Sequence, residues 1–221
     1  MASPGPLDIV IKTRRKDLET YLQLQTDLVL HCRLGGKVYV IVPGEDVSLF
    51  RTVIHKDFIA ASSEQVLALA GYDEEFPDTW STQQVIKILA AHLVAHEQYL
   101  IIDSNTLIGF DFDEKFFLCG SNYVYATGEF YDAAWELQTR NFLKLRKTDR
   151  VYGFRAVNQI FIKENVRQLI DYVEALYQGN IVGILLSHSD EFCTEYWAEY
   201  ALYGVFVRCI LDGAGHYFER R

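Results

Sequence analysis

The run Tyr99-Leu100-Ile101-Ile102 constrains the fold more than any other stretch of this sequence. It has no polar residue, so it suits a strand covered on both faces, as in a parallel α/β sheet. Before it, Val85, Ile88, Leu89, His92 and Leu93 repeat at helical spacing. Ser81 and Gln84 stand at the spacing of a capping box that would start this helix. After it comes Asp103-Ser104-Asn105. Ligands of open α/β sheets bind beyond the C-terminal ends of the strands. A carboxylate and an amide two residues apart can address one cation or a ribose there.

The N-terminal half repeats this alternation. Leu7 to Lys12 reads as a strand, and Asp17 stands where a helix N-cap would. Leu18, Tyr21, Leu22, Gln25, Leu28, Val29 and Cys32 mark the inner face of the helix that follows. Gly35-Gly36 stops it, and Lys37 to Val42 is the next strand. A β-α-β unit of this kind implies a parallel pair with a right-handed crossover. Arg51 to Ile54 is expected as a third short strand. Ser62 and Gln65 form a capping box for a short helix ending at Gly71, and residues 72–79 form an acidic loop.

The pattern changes after Asn105. Phe116 to Cys119 and Asn122 to Ala126 flank Gly120-Ser121, which predicts a two-residue hairpin. Helices are expected over 128–147, over Asn165 to Tyr177 with a stop at Gly179, and over 194–209; Asn158 to Ile162 is a strand. A short strand behind a glycine turn closes the chain at Gly213 to Phe218. The fold class is therefore α/β, a mainly parallel sheet flanked by helices, with antiparallel additions in the C-terminal half.

A chain of 221 residues suits one core better than two. Its net charge of −9 argues against a nucleic-acid surface. Cys32, Cys119, Cys193 and Cys209 are far apart with no C-x-x-C, which reads as four reduced, mostly buried thiols in a cytoplasmic protein. No signal peptide precedes the first strand, and no apolar run is long enough to span a bilayer, so no transmembrane segment is expected. Ser187-His188-Ser189-Asp190 has the residue types of a hydrolase triad, but neighbours in one loop cannot form that relay. Neither a Walker A motif nor a G-x-G-x-x-G fingerprint occurs.

Three stretches resemble a bacterial family of GT-A-fold, glycosyltransferase-like proteins. Trp80 to Ile88 (WSTQQVIKI) is similar to its W-x-x-Q-Q-x-x-K-L stretch, Tyr99 to Thr106 (YLIIDSNT) to YLVLDSDT, and Ala198 to Gly204 (AEYALYG) to SEYELYG. Their order and spacing fit, and together they span most of the chain. The resemblance implies one GT-A-like domain over 1–221, with a nucleotide-donor half over 1–112 and an acceptor half over 113–221. It also implies a transferase that moves a sugar from a nucleotide sugar to an acceptor hydroxyl. The family's Asp-x-Asp, which in GT-A enzymes holds a divalent metal on the donor diphosphate, is Asp103-Ser104-Asn105 here. That departure leaves three expectations open: a weakened Mn²⁺ or Mg²⁺ site, a metal-independent enzyme, or a degenerate fold kept as a binding or scaffold protein. Nucleotidyl transfer on the same fold would need the glycine-rich first loop that is missing.

The resemblance assigns roles, and each has a plainer alternative. Lys12, Thr13 and Arg14 leave the first strand where a diphosphate would lie, or form a solvated charge run with Arg15. Gln83 and Lys87 share a helix face and would touch the donor; a surface lysine is the ordinary reading. Gln84 is a further donor-side candidate, with capping as its plainer explanation, and Trp80 either staples the helix or walls the donor pocket. Asp103 would address ribose or metal, with Asn105 and the late His216 as further ligands. Glu199, in the family-like stretch, precedes Glu195 as general base; an acidic solvent face is the alternative for both, and Glu191 ranks below them. Gln159, Tyr196 and Tyr200 would line the acceptor side. His92 and His96 look like a structural pair on the inner face of the central helix.

Overall fold

The computed structural model describes residues 5–73, 77–127, 133–146, 158–188 and 197–220. Its main sheet holds β1 (Leu7–Lys12), β2 (Val38–Val42), β3 (Phe58–Ser62), β4 (Gln98–Asp103) and β7 (Ile160–Ile162) in the order β3-β2-β1-β4-β7. The first four strands are parallel; β7 runs antiparallel to β4, with Leu100 opposite Ile160. A smaller sheet joins β5 (Leu118–Cys119), β6 (Asn122–Thr127) and β8 (His216–Arg220). β5 and β6 form the expected hairpin, with Gly120 at φ +65, a backbone conformation that glycine adopts without strain.

Alternation along the strands divides the core in two. Leu7, Ile9, Ile11, Leu100 and Ile102 pack against α1 (Leu18–His31) and α2 (Val47–Val53). Val10, Ile41, Tyr99 and Ile101 face α3 (Ser63–Leu69), α4 (Trp80–Leu89), α6 (Lys163–Tyr177), α7 (Ile181–Ser187) and α8 (Glu199–Cys209). Cover on both faces is why these strands read as continuous apolar runs. At Gly36 a Cβ would collide with the Leu7 carbonyl, so the turn into β2 requires glycine.

Several local expectations are corrected. Arg51 to Ile54 is the end of helix α2, and the third strand is Phe58–Ser62. β-branched residues at Thr52, Val53 and Ile54 gave the strand signal, and helical packing of Phe50 overrides it. α4 is capped by Thr79, whose Oγ1 accepts from Thr82 N at 3.2 Å, not by Ser81. α4 ends at Leu89, so His92 lies in the following tight turn and faces solvent. His96 lies beyond that turn, its Nδ1 2.7 Å from the buried Asp8, whose carboxylate also accepts from the Lys37, Ala95 and His96 amides. α6 closes on Gln178 in the left-handed region (φ 56) rather than on Gly179. α7 carries no helical signature long enough to have been expected. α5 (Ala133–Phe142) occupies the middle of the expected 128–147 helix; the flanks 128–132 and 147 lie outside the described residues. Cys119 and Cys209 are exposed rather than buried, and Cys193 lies outside the described residues.

Candidate functional site at the strand switch point

β1 leads to β2 on one side, while β4 pairs with β1 on the other, so the strand order reverses between β1 and β4. This is the switch point at which open sheets bind ligands. Lys12 and Asp103 are the last residues of the two strands and stand in register. The two-residue period puts both on the α4 and α8 face, with Val10 and Ile101.

α4 lays Gln83, Gln84 and Lys87 along that face. Its i, i+4 spacing carries Lys87 inward, where Nζ lies 2.6 Å from Asp103 Oδ1 and 2.7 Å from Glu199 Oε1. Glu199 opens α8: Ala198 is still extended (φ −134, ψ 151), so the helix begins there and not near Thr194. Glu199 is 2 % exposed and Lys87 6 %. With its amide nitrogen turned toward the carboxylate, Gln84 donates to both Glu199 oxygens, and its oxygen accepts from Trp80 Nε1 at 3.2 Å. Tyr200 Oη is 3.3 Å from Asp103 Oδ1, and its ring lies 5.2 Å from Lys87 Nζ. These groups line a cavity of about 410 Å³, shared with Lys12, Asp17, Thr20, Ser104 and Asn105. The three stretches singled out in the sequence thus meet in one place.

Burial opposes the Lys87 charge, but Glu199 and Asp103 outweigh it and hold the ammonium above its usual pKa. Burial pushes the Glu199 carboxyl up; the Lys87 charge pulls it down, Asp103 pushes it up, and the net result is a rise from its ordinary value. The cluster keeps its cation and has a carboxylate with affinity for a proton. On the β1 side, burial pulls Lys12 down despite Asp78 beside it. Asp78 accepts from Lys12 Nζ at 3.2 Å and from Arg14 at 3.1 Å. Two buried polar atoms here lack a partner, Thr13 Oγ1 and Gln83 Nε2.

The remaining sequence candidates are dispersed. Asn105 lines the cavity and is exposed. His216 lies in β8 and is absent from the cavity wall: Nε2 is 2.8 Å from Tyr203 Oη, in a cluster with Tyr125 and Phe218. Burial lowers its pKa to about 4. Gln159 lines a second, apolar cavity of about 250 Å³ beside Phe110, Phe112 and Phe116, and pairs with the Ala126 backbone. Glu191, Glu195 and Tyr196 lie outside the described residues. α8 itself begins at Glu199, after the extended Ala198. Tyr125, Phe161 and Tyr203 serve the core, with Phe161 and Tyr203 stacked at 4.0 Å.

Sequence reasoning missed Asp78, hidden within an acidic loop, and Asp17, read only as a helix cap. A proline before Asp78 and its place just ahead of α4 were the available signals.

The cation implied by an Asp-x-Asp motif does not fit this donor set. Asp103 Oδ1 already accepts from Lys87 and Tyr200, Asn105 is neutral, and His216 is turned into the core. Among the described residues, no three His, Cys, Asp or Glu side chains stand together as a cation would need. A divalent ion on Asp103 would sit against an ammonium.

Comparison with solved structures shows the GT-A fold. The galactosyltransferase LgtC in complex with donor and acceptor sugar analogs superposes with TM-score 0.52 at 12 % identity, over 96 % of this chain and 73 % of that one. Glucosyl-3-phosphoglycerate synthase from Mycobacterium tuberculosis, in complex with Mn²⁺, UDP and glucosyl-3-phosphoglycerate, gives 0.52 at 11 % identity, over 98 % and 70 %. Mouse xyloside xylosyltransferase 1 in its apo form gives 0.51 at 10 % identity, over 99 % and 85 %. No curated protein matches the sequence. Residues 12–216, which include every residue of the switch-point cluster, match one family throughout, and the chain belongs to that family of unknown function, DUF6492.

Proposed function

We propose that the chain is a glycosyltransferase that moves a sugar from a nucleotide-sugar donor to an acceptor hydroxyl. The observation that carries this reading is the convergence of Lys87, Asp103 and Glu199 from three distant segments at the switch point. The likeness to structures of sugar transferases supports it at the level of fold. Lys12, Thr13, Arg14, Gln83 and Lys87 would hold the donor diphosphate, with Trp80 and Gln84 bracing the wall and Asp103 addressing the ribose. Glu199, buried and proton-hungry, would take the acceptor proton as the new bond forms. Lys87 would meet the charge left on the departing diphosphate.

We keep the division at residue 112 as a proposal, with α8 reaching from the acceptor half back to the donor. Tyr200 and Gln159 would stand on the acceptor side, together with Glu195 and Tyr196. Of the cofactor expectations, Mn²⁺ or Mg²⁺ against none, the donor set supports none. No helix of the described residues is long and apolar enough to cross a membrane. The unpaired thiols of Cys32, Cys119 and Cys209 suit a reducing compartment, and we place the activity in the cytoplasm.

The test is release of nucleoside diphosphate from a panel of nucleotide sugars in the presence of sugar and alcohol acceptors. The expected result is release with one donor class that Glu199→Gln and Asp103→Ala abolish. No release with any donor, with or without Mn²⁺, would refute the reading. It would favour the second one, a binding or scaffold protein on this fold. One observation speaks for that alternative: Asp78, Asp103 and Glu199 already neutralise Lys12, Arg14 and Lys87.

A further inference from the structure

The mismatch between the GT-A metal motif and this donor set has a specific geometry. An ammonium stands where an Asp-x-Asp cation would be expected. Lys87 Nζ is 2.6 Å from Asp103 Oδ1, and it is fixed from behind by Glu199, itself held by Gln84. Lysine has three N–H donors. Asp103 and Glu199 take two of them, which leaves one for a ligand oxygen in the cavity that Lys87 lines. Gln83, one turn before it on the same wall, has a buried Nε2 without a partner. A buried donor is costly to leave unpaired, so the wall is built to receive an acceptor. Two donors on one wall, one of them charged, suit phosphate oxygens.

We propose that the Lys87 ammonium replaces the divalent cation, so that a nucleoside diphosphate binds this cavity without metal, through Lys87 Nζ and Gln83 Nε2. The inference rests on the transferase reading for the identity of the ligand. Fixing the ammonium with two carboxylates removes most of the ordering that a free lysine would need on binding.

The experiment is calorimetric titration of the full chain with uridine, guanosine, adenosine and cytidine diphosphates, once in chelator and once in Mn²⁺. The expected result is binding of at least one of them in chelator, changed less than about threefold by Mn²⁺. Lys87→Met should weaken it by about tenfold or more. Should that variant not fold, Gln83→Ala serves instead: it removes the second donor of the wall and should weaken binding in chelator by about threefold or more, and unchanged affinity would overturn the inference. Binding that appears only with Mn²⁺, or that Mn²⁺ tightens tenfold, overturns the inference and leaves the transferase reading intact. No binding of any nucleotide in either condition overturns both.

Discussion

Lys87→Met should destabilise the protein in a strongly pH-dependent way. The variant keeps the aliphatic bulk of the lysine and removes its charge. Asp103 is 30 % exposed at its side chain and stays solvated, whereas Glu199 is only 2 % exposed. Leaving a buried charge without its partner costs about 3–5 kcal/mol. Protonating Glu199 limits that cost. Its ordinary value is 4.5, so carrying the proton at pH 7 spans about 2.5 pH units at about 1.4 kcal/mol each, or about 3.5 kcal/mol. The sign follows from linkage. In the variant the folded-state pKa is raised further, so between the unfolded value and that raised value the folded state binds more protons. Stability therefore falls as pH rises through this window. The expected loss relative to wild type is about 3.5 kcal/mol at pH 7 and under about 1 kcal/mol at pH 5. Urea unfolding at pH 5, 6 and 7 measures it. The double variant Lys87→Met, Glu199→Gln should recover most of the pH 7 loss. An equal loss at pH 5 and 7, or a double variant no more stable than the single, would refute the picture of Glu199 as the buried charge that Lys87 compensates.

Three other outcomes are expected. His216, whose pKa burial lowers from 6.5 to about 4, is a group that the unfolded chain protonates first. Stability should fall by up to about 3 kcal/mol as pH drops from 6.5 to 4, and His216→Gln should flatten that part of the curve in chemical denaturation. Thr79→Ala should cost about 1 kcal/mol through loss of the α4 cap, and Ser81→Ala less than about 0.5 kcal/mol; thermal melts that reverse this order would restore Ser81 as the cap. Asp78→Asn, by releasing Arg14 and Lys12, should tighten nucleoside diphosphate binding about fivefold to tenfold in calorimetry, and weaker binding would show that Asp78 orders the loop for the ligand.

Much of the fold was legible because its signals are local. Apolar runs at Ile9–Ile11 and Tyr99–Ile102 required strands covered on both faces, and the helical repeat of Leu18 to Leu28 supplied one cover. The errors lie where local signals compete. The β-branched residues at 52–54 favour a strand in isolation, yet Phe50 is buried best from a helix. Thr79 and Ser81 are both competent caps, and only the path of residues 77–79 into α4 decided between them.

The site divides the same way. The sequence by itself determined that Lys87, Asp103 and Glu199 lie in three segments resembling one family, that Asp103 ends a buried strand, and that Asn105 departs from the pattern. It could not determine that these three side chains touch. A surface lysine stayed open beside the donor role of Lys87, and a solvated face beside the general-base role of Glu199, because residue type predicts exposure only on average. Only the tertiary structure decided otherwise: α4 and α8 cross over the same strand end, and their i-th residues meet there although far apart in sequence. The same holds for Asp78, which turned the basic residues after β1 from free cations into paired ones. Short-range periodicity fixes which face a residue takes on its own element. Which charges then neutralise one another depends on how the elements pack, and that is a long-range property.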